Sequence, residues 1–288
     1  MSFVDKILDA RDKPISDSTR MLYNRHLTKL NDNKEVQSLD FLDDSKVILA
    51  KISHLAPNTQ KTYIIAICAV LKNSGNTKLY NTYFSLLIEF NSRLSVNTSK
   101  TEKQIDNWID TDNIIKFREN MKLDLSTFEL MLNYLIVSLY TMIPPRRNID
   151  FTLMKLSNDM RDSKFNYLDI INKKFIFNNY KTAGTYHSVE IDIPDDLMDV
   201  INHYLRIHPS KKKMKNKKYS FFLLGSEFSS DNLSKKMHKI FGKRIGSSML
   251  RNIYLTDKYS NTVKGLENDV KLMGTSVNTA MNNYIKKS

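Results

Sequence analysis

The sharpest apolar pattern in the chain is Tyr83, Leu86, Leu87 and Phe90, which fall at i, i+3, i+4 and i+7. That spacing lines one face of an α-helix and predicts a helix from about Leu79 to Arg93. The same period recurs in Tyr23, Leu27 and Leu30, where Ser18 can cap the helix, and in Tyr63, Ile67 and Val70, where Asn58 can cap it and Gly75 can end it. Three helices of this kind predict a compact bundle in the first third. From Leu94 to Lys103 the chain is polar, rich in Ser and Thr, and aperiodic. This places a helical domain at 1–97, a linker at 98–107 and a second domain at 108–288.

Beyond the linker a helix is expected near Asp112–Asn120, then one over Ser126–Met142 that is apolar nearly all round and must be buried on several faces. Pro144-Pro145 ends it. Three strands follow, over Asn166–Ile171, Lys174–Tyr180 and Ser188–Ile193. In the last, Val189, Ile191 and Ile193 alternate with Glu190 and Asp192. Lys181-Thr182-Ala183-Gly184 can turn the last two strands into a hairpin. A helix over Asp195–Ile207 comes next, and the C-terminal third reads as short helices alternating with polar loops. No tandem repeat is visible. With only 7 Gly and 6 Pro, a turn-dense all-β fold is disfavoured. The expected class is mainly α with a small antiparallel β-sheet.

Charge narrows the partner. Against 44 Lys+Arg stand 31 Asp+Glu, a formal +13 on 288 residues, which points to a polyanion and first to nucleic acid. At 41% hydrophobic and 10% aromatic the chain can build real cores and is not a disordered basic tail. Cys68 stands alone, so no internal disulfide or Cys-based zinc site is possible. The longest apolar stretch, Phe128–Ile143, is short for a bilayer and is interrupted by Glu129, Asn133 and Ser138. The N-terminus carries acids and no apolar leader core. The expectation is a soluble, intracellular protein of cytoplasm or nucleus, with no membrane partner. Neither a phosphate-cradling Gly-rich loop nor HExxH occurs, so neither metal nor nucleotide cofactor is expected. His203 and His208, five apart, read as two histidines on an exposed helix end.

Four segments are notable as a set. Arg146-Arg147 closes the buried helix with Asp150 three residues after Arg147, and Lys181 sits at the hairpin turn. Ser248-Met249-Leu250-Arg251 opens a helix, and Gly274-Thr275 precedes Tyr284 by nine residues, counted from Thr275. In this order the set resembles the tyrosine recombinase, or phage-integrase-like, family. The resemblance implies a helical core-binding (SAM-like) domain that clamps DNA, joined to a mixed α/β catalytic domain. It places Arg147 and Arg251 at the two catalytic arginines, Arg146 being the runner-up, with Lys181 at the hairpin lysine and Tyr284 at the nucleophile. Ser248 and Thr275 stand where that family usually has His or Lys and His or Trp, and Asn252 replaces a frequent histidine. The family further implies double-stranded DNA as partner and a tetramer on it, with monomers or weak oligomers otherwise. Only four residues follow Tyr284, so assembly is expected to use other surfaces or DNA itself.

Elementary chemistry asks for the same residue types. Phosphodiester cleavage needs an in-line nucleophile, neutralisation of the non-bridging oxygens and a proton for the leaving oxygen. Two guanidiniums meet the second need with bidentate forks that stay charged at any working pH. Lysine meets the third as a mobile acid. Tyrosine meets the first, and its phosphotyrosine conserves the bond, so rejoining needs neither ATP nor metal. A hydroxyl at 248 or 275 can hydrogen-bond phosphate but cannot accept the proton of a phenol. DNA contacts are further expected from Arg146, from Arg20, Arg25, Asn58, Gln60 and Lys61 at helix starts, and from the run Lys211, Lys212, Lys213, Lys215, Lys217 and Lys218. Alternatives are a type IB topoisomerase, or a catalytically inactive DNA-binding protein with the recombinase fold.

Overall fold

The computed structural model of the chain describes residues 2–12, 14–95, 99–152, 154–156, 162–209, 220–223 and 228–285. It divides into two compact units, Met1–Ser99 and Lys100–Ser288. The N-terminal unit holds α1 (Phe3–Asp9), α2 (Asp17–Leu30), a 3-10 turn at Asp40–Leu42, α3 (Ser45–Ile52), α4 (Pro57–Ser74) and α5 (Thr77–Ser95). Helix α4 buries eight side chains, among them Tyr63, Ile64, Ile67 and Val70. Around it close Val4 and Leu8 of α1, Leu27 and Leu30 of α2, and Ile48 and Ile52 of α3. Tyr83, fully buried on α5, donates its hydroxyl to Leu42 O at 2.8 Å. Two caps differ from expectation. Ser16, not Ser18, accepts from Thr19 N at the start of α2. Helix α4 starts on Pro57 behind Ala56, so Asn58 lies inside it; proline fits a first helical position, where no amide is needed. Gly75 ends α4 in the left-handed region at φ 83, which costs glycine nothing.

In the C-terminal unit α6 (Glu102–Asn107) occupies what polarity alone marks as linker, because Thr101 and Gln104 form a reciprocal capping box. Then come α7 (Thr111–Met121), α8 (Phe128–Thr141) and α9 (Asn148–Thr152). Helix α8 is the buried one expected, with nine buried side chains. Strands β1 (Met154–Leu156), β2 (Asn166–Asp169), β3 (Lys174–Phe177), β4 (Val189–Asp192) and β5 (Ser220–Phe221) form one sheet in the order β4-β3-β2-β1-β5. It is mixed rather than antiparallel, since β1 pairs parallel with β2. A three-residue strand is too short to show a period of two, so the sequence pattern leaves β1 out. A one-turn helix, α10 (Ala183–Tyr186), lies in the β3–β4 connection, and α11 (Asp195–Ile207) follows.

The last third corrects the expectation of short helices. After α12 (Ser230–Phe241), α13 runs unbroken over Ser247–Leu272 for 26 residues. Only Leu250, Ile253 and Val270 of it are buried, so it shows almost no apolar period. Short helical turns, α14 (Val277–Thr279) and a π-helical turn at Ala280–Tyr284, close the described chain. His208, expected exposed, is 3% exposed, packed edge-on against Phe128 and Tyr204 at 5.1 and 5.2 Å. Among the described residues no helix is long and apolar enough to cross a membrane, and no group of three or more His, Cys, Asp or Glu could hold a metal ion.

Candidate active site

The turn after α8 positions the arginine pair. Tyr140 on α8 donates to Asn148 Oδ1 at 2.7 Å, and Asn148 Nδ2 donates to Ser234 Oγ at 2.8 Å and Ser230 O at 3.1 Å on α12. Asn148 thus ties α8, α9 and α12 together. Arg146 is committed inside the unit: its Nε meets Asp150 Oδ2 at 2.8 Å, and its guanidinium lies 3.7 Å from the Phe177 ring centre and 5.2 Å from that of Tyr180. Arg146 therefore has its charge answered by an acid, although the sequence reading places it among DNA contacts. Asp150 is 2% exposed, and its Oδ1 has no hydrogen-bond partner among the described residues. Burial pushes its carboxyl above the ordinary value, against the opposing pull of Arg146 and Arg147. Burial and the nearby Asp150 charge likewise push the Tyr140 phenol well up.

Arg147, one residue on, makes no ion pair or hydrogen bond through its guanidinium with any described residue. Its main-chain oxygen accepts from Asp150 N at 3.0 Å, so the turn is fixed while the side chain is left half-exposed.

Lys181 is brought to the same region by Asn166, a fully buried residue that opens β2. Its Nδ2 donates to Asp150 O at 2.7 Å and to Asn179 O at 3.0 Å, and its Oδ1 accepts from Asn179 N at 2.8 Å. One amide side chain therefore fastens the arginine turn to the connection that carries Lys181. Tyr180, stacked under Arg146, closes that connection by donating to His187 O at 2.8 Å. Lys181 itself is exposed and makes no ion pair with a described residue. The sequence carries this joint in asparagine itself: Asn166, Asn178 and Asn179 are poor strand formers whose side chains bond main chain here.

Arg251 and Tyr284 lie on α13 and beyond it. Leu250 and Ile253 anchor the first turns of α13 in the core, leaving Arg251 half-exposed without an ion-pair partner among the described residues and Ser248 exposed. At 1.5 Å per residue, Leu272 is about 30 Å along the axis from Arg251. There the chain turns: Gly274, at φ 66, donates to Lys271 O at 3.1 Å, and Thr275 N donates to Val270 O at 2.8 Å. These are the two bonds of a Schellman motif, which gives Gly274-Thr275 a structural role. Ser276 caps the next turn by accepting from Thr279 N at 3.1 Å. Tyr284 is 60% exposed, and no hydrogen bond joins it to Arg147, Lys181 or Arg251.

Other predicted contacts separate in the same way. Arg20 is neutralised by Asp9 at 2.5 Å and Asp5 at 3.4 Å. Gln60 Nε2 caps the preceding helix end through Leu55 O at 2.7 Å and Ser53 O at 3.2 Å. Arg25 and Asn58 are exposed and Lys61 is half-exposed. The lysines of the 211–218 run lie outside the described residues. No known protein-family model matches the chain, and no curated protein matches it.

Proposed function

We propose that the chain is a DNA strand-exchange enzyme of the tyrosine-recombinase type. The observation that supports this most is that Arg147, Lys181 and Arg251 stand in that order without ion-pair partners among the described residues, two of them on segments joined by Asn166. Beside them Arg146 has its own acid. Cations placed on ordered segments and not engaged in an ion pair suit a phosphate supplied from outside. In this reading the guanidiniums of Arg147 and Arg251 bind the non-bridging oxygens and Ser248 donates to them, while Thr275 and Tyr284, which the turn after α13 holds about 30 Å along that helix from Arg251, act on the phosphate held by another subunit. The Tyr284 Oη attacks phosphorus in line, its proton passing to water, to which the exposed ring is open. The bond to the 5′ oxygen breaks as Lys181 gives that oxygen a proton, leaving a 3′-phosphotyrosine and a 5′-OH. A 5′-OH from another strand reverses the step, and four such exchanges on two duplexes, made by a tetramer, complete recombination through a junction.

The test is a nicked suicide duplex carrying the cognate site, incubated with the protein in EDTA. A protein–DNA adduct is expected that is absent in Tyr284→Phe. No adduct from the wild-type chain rejects the enzyme reading, and an adduct that survives the substitution removes Tyr284 as nucleophile. The second reading, a DNA-binding protein without chemistry, is favoured by the hydroxyls at Ser248 and Thr275, neither of which can act as a base at neutral pH. Relaxation of supercoiled plasmid without strand exchange identifies a type IB topoisomerase instead.

A further inference from the structure

Between α6, the end of α12 and the start of α13 lies an open cleft of about 740 Å³, lined by Lys103, Asp106, Asn107, His238, Lys243 and Arg244. Three full cations and an imidazole face a single carboxylate. No ion pair joins that carboxylate to any of them: Lys243 Nζ reaches only the main-chain oxygen of Asp106, at 3.4 Å, and Arg244 uses its main-chain nitrogen, not its guanidinium, to meet Asn107 Oδ1 at 2.8 Å. The Arg244 main chain is thus fixed while its charge stays outward. Gly246 starts α13 with no side-chain cap, and His238 Nε2 would lie 3.9 Å from a β-carbon there. The imidazole therefore borders a helix start whose amides carry the positive end of a 26-residue dipole.

We propose that this cleft is a second phosphate-binding site, which takes a backbone phosphate of duplex DNA beside the one held at Arg251. This rests on DNA being the partner of the neighbouring site. Arg251 is five residues beyond the Gly246 cap, a rise of about 7 Å, and about 200° round the helix from Met249 of the cleft wall, so the two positions meet different phosphates of the duplex. Lys243, Arg244 and Lys103 supply Coulomb attraction, and the guanidinium of Arg244 supplies the directional contact. None of these contacts reads a base, so the site strengthens binding to any duplex.

The experiment compares the full chain with Lys243→Ala/Arg244→Ala, and with Lys264→Ala/Lys271→Ala, which removes the same charge from the exposed second half of α13. Each is titrated against a fluorescein-labelled 30-base-pair duplex of arbitrary sequence between 50 and 250 mM KCl. The cleft variant is expected to bind about tenfold more weakly at mid-range salt, with a log–log salt slope shallower by about two, near 0.9 per lost phosphate contact. The second variant is expected to keep the wild-type slope. Equal slopes for the cleft variant and the wild type overturn the site, as do equal losses in both variants, which would reflect net charge alone. A wild-type chain that does not bind the duplex overturns both this site and the DNA reading. A suicide-duplex adduct that fails to form while the cleft variant still loses affinity rejects only the chemistry.

Discussion

Among the described residues of the N-terminal unit, one buried side chain is polar or charged: His26, stacked on Tyr63 at 3.9 Å between ring centres. The C-terminal unit buries Ser138, Asn148, Asp150, Thr152, Asn166, Asp169 and His208. The first unit is held by apolar stripes that any well-packed bundle would use. In the second, Asn148, Asp150 and Asn166 hydrogen-bond the turns of Arg147 and Lys181 to their surroundings. Buried polar groups contribute little net stability, but each constrains its partners to one arrangement. That difference is what a unit that must hold cations at fixed positions would need.

Two natural reporters allow the comparison to be broken experimentally. The single tryptophan, Trp108, belongs to the C-terminal unit and packs on its core, whereas the single cysteine, Cys68, is buried in the N-terminal unit. Burial pushes the Cys68 thiol up to about 11, so labelling requires the N-terminal unit to open.

The largest effect is expected from Arg146→Met, which leaves Asp150 buried without its cation. A loss of about 3–5 kcal/mol at neutral pH is expected in denaturant unfolding followed by Trp108 fluorescence. Its pH dependence fixes the cause. The Asp150 carboxyl is raised above its ordinary 3.8 in the folded chain, so the folded state holds a proton that the unfolded state has lost. The contribution of Asp150 therefore becomes less favourable as pH rises from that value through the folded one. Removing Arg146 raises the folded value further, so the variant is expected to approach wild-type stability in acid and to diverge as pH rises. A loss that is the same at all pH values would assign the effect to packing on Phe177 and Tyr180.

A smaller effect, about 2–3 kcal/mol, is expected from Asn166→Leu, which keeps the volume and strands the Asp150 and Asn179 main-chain groups. Amide exchange around Lys181 should quicken in the same variant. Unchanged exchange there would show that the lysine connection is held by Tyr180 alone. The smallest is Ile48→Val in the N-terminal unit, at about 1 kcal/mol, seen as faster Cys68 labelling with Trp108 unfolding unmoved. A shift in both reporters would show that the units unfold together.

Most of the helical frame is legible in the chain. Helix α11 runs Asp195–Ile207 as its pattern predicts, since an acidic first turn behind Pro194 and a strong apolar stripe leave little choice. Helices α5 and α8 and strands β3 and β4 also follow their periods. What stays hidden depends on tertiary contact. Arg20 reads as a free cation only until α1 is known, because both of its acids, Asp5 and Asp9, stand on that helix. Arg146 and Arg147 lie four and three residues before Asp150, and both spacings bring helical neighbours together. In the fold Arg146 takes the carboxylate, its guanidinium lying over the rings of Phe177 and Tyr180. The cleft at Arg244 draws residues from three helices, and no local spacing announces it.

Asn166 has a consequence for how this chain can change. Its three bonds end on main-chain atoms of residues 150 and 179, which every amino acid provides except proline at 179, where an N–H is needed. The joint is therefore indifferent to the side chains it joins. A library randomising 181–186 while holding Asn166 and Tyr180 constant should retain many folded members, and could exchange the lysine loop for other acids or cations without rebuilding the arginine turn.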